Sequence, residues 1–183
     1  NRQQEKLATQ AYLIAESLTR CHIPVRVSFF CSVSGCTVLR ILRDFGHPEE
    51  NDACFDYTAA GWNRDGLALR GMAPLLRDAP AEKRLLLLLT DASPNDSHKI
   101  PPSDRFPLSR DYDGPAAVQD TSAQVRSLRQ RGIRVAAVFM GENSSIPAAN
   151  AIYGKDLARI RRMDQLAAAA GRLIQDEIRE LSG

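Results

Sequence analysis

Apolar residues recur along this chain with two periods, one typical of helices and one typical of strands. Helical spacing predicts an opening helix over residues 3–20 and a second helix that begins near Leu67. Alternation predicts a strand over residues 25–30 and another over 36–42. Because Ser34-Gly35 lies between the two, we expect these strands to form a hairpin.

The most apolar segment consists of five consecutive leucines, residues 85–89. A run without polar interruption predicts a strand that is buried on both faces, as in the centre of a parallel sheet. Open α/β sheets bind ligands outside the carboxyl ends of their strands. The polar residues that follow the leucines are therefore candidate functional residues, namely Asp91, Ser93, Asn95 and Asp96.

The second half of the chain continues the alternation of helices and strands. A long polar loop over residues 94–115 is predicted to lie over the site, since loops of this length are usually functional or mobile. This order predicts a doubly wound, mostly parallel α/β sheet flanked by helices. The predicted elements are helices over 116–131, 147–153 and 163–181, with strands over 133–140 and 157–160.

Composition fits a single globular domain over residues 1–183, with 44% apolar and 25% charged residues. The 24 basic residues exceed the 22 acidic ones by only two and form no tract, so a nucleic-acid partner is not expected. The longest apolar run is far short of the ~20 residues of a membrane span. Unpatterned cysteine spacing predicts free thiols and a cytoplasmic protein; the cysteines are Cys21, Cys31, Cys36 and Cys54.

Two acidic turns, at residues 63–65 and 91–93, carry candidate metal ligands. Magnesium takes oxygen ligands and keeps several waters, so two or three well-placed protein oxygens suffice. Each residue also has a purely structural interpretation. Asp65 fits the N-cap of the helix that follows it, and Asn95 and Asp96 fit turn formers.

These two turns also carry a family resemblance. The chain has Gly-Trp-Asn-Arg-Asp-Gly at 61–66 and Thr-Asp-Ala-Ser-Pro-Asn-Asp at 90–96. With Asp120-Thr121, Gly132-Ile133 and Ile152-Tyr153-Gly154, these motifs resemble the von Willebrand factor A (vWA) domain of the nitric-oxide-reductase activation proteins, which are related to the large metal-chelatase subunits. The resemblance implies one Rossmann-like vWA domain, expected to be the C-terminal part of a longer protein.

Domains of that family hold magnesium at a metal-ion-dependent adhesion site (MIDAS) built from three loops. The resemblance places Asp91 at the third-loop aspartate and Asp65, with Asn63, at the second-loop position. It leaves Ser93, Asn95 and Asp96 at the periphery of the site.

The first-loop motif of the family, Asp-x-Ser-x-Ser, does not precede the opening helix of this chain. We expect truncation to have removed the strand that carries it, and magnesium to bind weakly or not at all without it. The pair Ser32 and Ser34 lacks the aspartate and follows a different predicted strand, so it is not expected to replace the motif.

The function implied by the resemblance is a non-enzymatic, metal-dependent protein-binding module. A magnesium ion with an open coordination position would accept a carboxylate from a partner protein. The implied partner is a MoxR-type AAA ATPase. Together they would activate a target metalloenzyme such as nitric oxide reductase, or insert its metal, with this chain as adaptor or co-chaperone.

Two alternatives remain open from the sequence. A strand that ends in Asp91 is also typical of magnesium-dependent phosphatases of the haloacid-dehalogenase type, but these need a second carboxylate two residues later, where this chain has Ser93. Hydrolase and dinucleotide motifs are absent from the sequence, and His98 is expected to be a solvated loop residue. The third possibility is a structural scaffold with an empty crevice.

Overall fold

A computed structural model describes residues 2–58 and 60–182 of the chain. It contains helices on both sides of a small parallel sheet, and two separate antiparallel hairpins. The α-helices are Arg2–Arg20 (α1), Asp65–Leu75 (α2), Gly114–Gln130 (α3), Ile146–Tyr153 (α4) and Leu166–Ser182 (α5). The strands are Val27–Val33 (β1), Cys36–Arg43 (β2), Arg84–Thr90 (β3), Asp96–Ile100 (β4), Arg110–Tyr112 (β5), Ile133–Phe139 (β6) and Leu157–Arg159 (β7).

The parallel sheet has the strand order β3-β6-β7, and β6 is its middle strand. Alternate side chains of β6 enter two different apolar clusters. Val135 and Ala137 pack with residues of α2, α3 and α4. Ala136 and Val138 pack on the opposite face with residues of α5 and α1. The fold is therefore mixed α/β, with a helical layer on each face of the sheet.

The strand of five leucines, β3, is not the central strand that its composition predicts. It pairs with β6 alone among the described residues, so its other edge carries no ladder of hydrogen bonds. Leu88 is buried at 9% exposure, whereas its four leucine neighbours are only half-buried. The central strand of the sheet is β6, which pairs with a strand on each side and is almost completely buried.

The predicted hairpin of β1 and β2 is present, and it forms a sheet of its own. Two backbone hydrogen bonds join it to the loop before α2. Ser32 N donates to Trp62 O at 2.7 Å, and Trp62 N donates to Ser32 O at 2.9 Å. The Ser32 hydroxyl is buried against Thr37, 2.7 Å away, which gives Ser32 a structural role.

The long segment 94–115 is partly ordered into the hairpin of β4 and β5, which packs beside the first turn of α2. The remaining predicted elements of the second half occur close to their predicted bounds. Across the described ranges, 2–58 and 60–182, every helix is too short or too polar to cross a membrane.

Candidate metal centre

The carboxyl ends of β3, β6 and β7 lie at one edge of the sheet because the three strands are parallel. Asp91 follows β3 directly, and the loop before α2 is tied to the same edge. Asn95 N donates a hydrogen bond to Asn63 O at 3.0 Å, which joins the two acidic turns through the backbone. The structure thus brings together the two turns that the sequence singles out.

Asp65 is the first residue of α2 and is 4% exposed. It does not cap the helix, since the N-cap position is Arg64 and no side-chain cap forms. Burial, and then the nearby charge of Asp91, raise the pKa of Asp65 to about 7. No hydrogen bond or ion pair to another described residue compensates its carboxyl group. A buried acid in this state favours either a proton or an added cation.

Asp91 is exposed and is held by a tight local turn. Its Oδ1 accepts a hydrogen bond from Ser93 N at 3.0 Å, and Ala92 N donates to Thr90 Oγ1 at 2.9 Å. Ala92 adopts a positive φ of 54°, which is uncommon outside glycine, asparagine and aspartate. The second carboxylate oxygen, Oδ2, makes no hydrogen bond within the described ranges and is available to a ligand.

Tyr153, the last residue of α4, is fully buried, and its hydroxyl finds no hydrogen-bond partner of acceptable geometry. Thr90 is nearby without satisfying it. Burial, followed by the charge of Asp65, raises the pKa of the Tyr153 phenol. Buried hydroxyls nearly always have partners, so the Tyr153 hydroxyl is a polar group that a ligand held near Asp65 and Asp91 could satisfy.

The first turn of α2 is fixed by a buried tyrosine. Gly66 N donates to Tyr112 Oη at 3.2 Å, and that hydroxyl donates to Asp120 Oδ2 at 2.9 Å. A Cβ on Gly66 would lie 2.0 Å from the same Asp120 oxygen, so any larger residue here would force the Asp120 side chain to move. This contact holds the start of α2, and with it Asp65, in place.

The peripheral residues serve mainly structural contacts. Ser93 Oγ lies 3.1 Å from Ser145 Oγ, and Asn95 Nδ2 donates to Ser93 O at 3.1 Å. Asp96 forms a 3.1 Å ion pair with Arg64, and its side chain is only 2% exposed. Its carboxylate is therefore already neutralised and is a poor candidate ligand.

Asn63 and His98 both keep exposed side chains near these turns. The Asn63 side chain is exposed and makes no hydrogen bond to another described residue. His98 lies in β4 and not in a loop, and its side chain is 55% exposed and sits over Gly35 of the β1–β2 turn.

Within the described ranges, the single group of three possible ligands at metal-binding separation is His47, Glu49 and Glu50, all exposed. Glu49 and Glu50 occupy the first turn of a short 3-10 helix, where acidic residues are stabilised by the backbone N–H groups.

The donor set at the sheet edge, two carboxylates and a nearby hydroxyl, is of the chemical type that a hard divalent cation takes. Magnesium is commonly held by one or two carboxylates and several waters. Asp65 and Asp91 would supply the carboxylates, and the Tyr153 hydroxyl could hydrogen-bond a bound water. Such an ion would offset the repulsion between the two acids and could accept an oxygen from another molecule.

Comparison with protein families and with curated proteins finds no match to this sequence. Solved structures do match its fold. The pilus adhesin SpaC from Lactobacillus rhamnosus GG aligns over 96% of this chain at 12% identity, with a TM-score of 0.64. Proximal thread matrix protein 1 from the mussel byssus aligns over 95% at 12% identity and a TM-score of 0.61. The manganese-loaded TRAP protein of Plasmodium vivax aligns over 91% at 17% identity and a TM-score of 0.53.

The chain has a vWA-like fold. TRAP is a vWA-domain protein, and the likeness covers nearly all of this chain. The chain spans 28%, 42% and 65% of the lengths of SpaC, the mussel protein and TRAP, respectively. At these identities the likeness concerns the fold alone.

Sequence reasoning missed several residues that shape the centre. Tyr153 belongs to a motif of the family resemblance, but nothing in its local pattern predicts a buried orphan hydroxyl. Gly141 is also essential to the geometry, because a Cβ there would lie 2.4 Å from Asp91 O. A glycine directly after a buried strand is the one signal that could have marked it.

Proposed function

We propose that this vWA-like domain is a non-enzymatic protein-binding module that docks a partner carboxylate through a divalent cation. The observation that carries the proposal is Asp65, which is buried near the charge of Asp91 and has no basic side chain paired with it among the described residues. Magnesium, held by Asp65 and Asp91 with Asn63 at the rim, would keep coordination positions open for an external oxygen.

The cation proposal draws support from one of the structural neighbours. The TRAP structure is loaded with manganese, another hard divalent cation that prefers oxygen ligands. Two carboxylates and a nearby hydroxyl at the carboxyl end of a parallel sheet suit the same class of ion.

We propose further that an added strand completes the sheet. The unpaired edge of β3, its half-exposed leucines, and the separation of the β1–β2 hairpin from β3 support this arrangement. The expected first loop, Asp-x-Ser-x-Ser, would follow such a strand and add oxygens to those of Asp65 and Asp91. Without it, magnesium binding would be weak.

The proposed partner, taken from the family resemblance, is a cytoplasmic MoxR-type AAA ATPase that acts with this protein on a target metalloenzyme such as nitric oxide reductase. A hard cation with a free coordination position would bind an aspartate or glutamate of that ATPase. In this proposal the residues of this chain hold the ion and the partner supplies an oxygen ligand, so no covalent bond is made or broken at the centre.

The test is co-purification of the protein with the co-expressed ATPase in magnesium and in a chelator. The proposal predicts a complex that needs the cation and is lost in Asp91→Ala, while the exposed control Asp104→Ala retains it. A complex that is indifferent to both the chelator and Asp91→Ala would refute the metal bridge. Magnesium-dependent turnover of a phosphomonoester would instead favour the phosphatase alternative.

A further inference from the structure

Four exposed arginines lie together where β7 ends at the carboxyl edge of the sheet. Arg159 is the last residue of β7, Arg161 and Arg162 follow it, and Arg172 comes from α5. Between Arg159 and Arg161, the buried side chain of Ile160 and a 2.9 Å hydrogen bond from Ile160 N to Phe139 O anchor the segment. The backbone that presents the arginines is therefore fixed.

These arginines line two adjoining clefts. One cleft, of about 360 Å³, is lined by Arg159, Arg162 and Arg172, and the other, of about 430 Å³, by Arg159 and Arg161. The two clefts share Arg159 and Ile160, so together they form an elongated basic surface, here called the arginine cleft.

Most of the positive charge in the arginine cleft is uncompensated. Asp164 is the one acidic residue among the described residues that line it, and it is paired with Arg162. Arg159 donates to the neutral amide oxygen of Asn143. The side chains of Arg161 and Arg172 make no hydrogen bond or ion pair with any described residue. Two guanidinium groups are thus free to bind an anion.

We propose that the arginine cleft binds an acidic segment of a partner protein. Arginine forks match carboxylates in a bidentate geometry, and an elongated surface with several of them suits carboxylates spaced along an extended chain. No aromatic side chain is found among the described lining residues, so bases of a nucleic acid would have no stacking platform.

One end of the arginine cleft lies next to the turn that carries Asp91. Met140 and Gly141 line its second part, and Gly141 packs against the backbone oxygen of Asp91. An acidic segment bound along the cleft would therefore end beside the corner that is proposed to hold a cation. The inference relies on the proposed function only for taking the partner to be a protein.

The test uses a fluorescent synthetic peptide rich in aspartate and glutamate, with its asparagine and glutamine counterpart as the neutral probe. In low salt, binding of the acidic peptide should weaken about tenfold in the double variant Arg161→Ala/Arg172→Ala. The matched control is Arg77→Ala/Arg126→Ala, two exposed arginines on other elements that also lack described partners, and it should bind as the parent protein does.

The outcomes separate this inference from the metal bridge. Equal binding by the Arg161/Arg172 variant and the parent protein, or equal binding of the neutral peptide, would overturn the arginine cleft as an acidic-peptide site. So would arginine-dependent binding of single-stranded DNA or inorganic phosphate in preference to the peptide. The Asp91→Ala variant tests the metal bridge alone. If this variant shows the same magnesium-dependent partner binding as the parent protein, the metal bridge is refuted and the result for the arginine cleft is unaffected.

Discussion

Burial, and then the negative charge of Asp91, raise the pKa of Asp65, although Asp65 and Asp91 belong to different turns of the chain. Asp65 opens α2, and Asp91 follows β3. The Asn63–Asn95 backbone hydrogen bond joins these two turns, and the Gly66–Tyr112 contact fixes the start of α2 against β5. The centre is therefore a consequence of how two loops are tied together at one edge of the sheet.

Asp65 should make stability fall as the pH rises. Its pKa is 3.8 in the unfolded chain and about 7 in the folded one, so the folded state binds more protons between these values. The free energy of unfolding should decrease by up to about 1.4 kcal/mol per pH unit over that window and level off above it. Asp65→Asn should flatten this dependence and be more stable than the parent at pH 8. Urea unfolding across pH measures both, and an unchanged slope in the variant would contradict the assignment.

Tyr153→Phe should fold at least as stably as the parent protein. The substitution removes a buried hydroxyl that lacks a partner, which is worth about 1 kcal/mol in favour of the variant. Tyr153→Ala should instead lose about 3–5 kcal/mol, because it leaves a cavity in the core. A loss above about 2 kcal/mol in Tyr153→Phe, measured by urea unfolding, would mean that the hydroxyl has a strong partner in the folded protein.

Alanine substitutions at two glycines of α2 should change the stability of the protein in opposite directions. Gly66→Ala forces Asp120 away and breaks its bond to Tyr112, at a cost of about 1–3 kcal/mol. Gly71→Ala meets no atom within 4 Å and should gain up to about 1 kcal/mol from its higher helix propensity. The pair is compared by chemical unfolding, and equal effects would mean that the contact at Gly66 is not tight.

Gly141→Ala should displace the backbone that carries Asp91. Its Cβ would lie 2.4 Å from Asp91 O and 2.5 Å from the Phe139 ring, so the backbone around Asp91 has to move. We expect a loss of about 1–3 kcal/mol in stability together with weaker cation binding. Gly171→Ala in α5, where no atom lies within 4 Å, is the matched control and should affect neither property adversely.

The open edge of β3 should be visible in native-state hydrogen exchange. Amides of β3 that do not bond to β6 should exchange much faster than those of β6, which has a strand on each side. Uniformly slow exchange along β3 would show that its second edge is paired in solution. That result would contradict the description of β3 as an edge strand.

Helix and strand identities were predictable because each element carries a strong period in its own residues. The helices α1, α3 and α5 and the strand β6 occur close to where the pattern puts them. The position of a strand within the sheet, in contrast, is not encoded in the residues of that strand alone. Five leucines predict a covered strand, but coverage depends on which other strands are present beside β3.

The candidate site was predictable only in part. The two acidic turns follow from residue type and from their positions next to core elements. The Asp96–Arg64 ion pair and the orphan hydroxyl of Tyr153 depend on long-range packing, which no local pattern encodes. The arginine cleft was not predicted from the sequence for a related reason. The packing of α5 brings Arg172 next to Arg159, Arg161 and Arg162, which lie at or just after the end of β7.

Calorimetric titration of the protein with manganese or magnesium tests the central claim most directly. We expect weak but saturable binding of one ion, which is lost in both Asp65→Asn and Asp91→Ala and retained in the exposed control Asp104→Ala. Weakened binding in Tyr153→Phe would add the hydroxyl to the centre. Cation binding of equal strength in the parent protein, Asp65→Asn and Asp91→Ala would contradict the account.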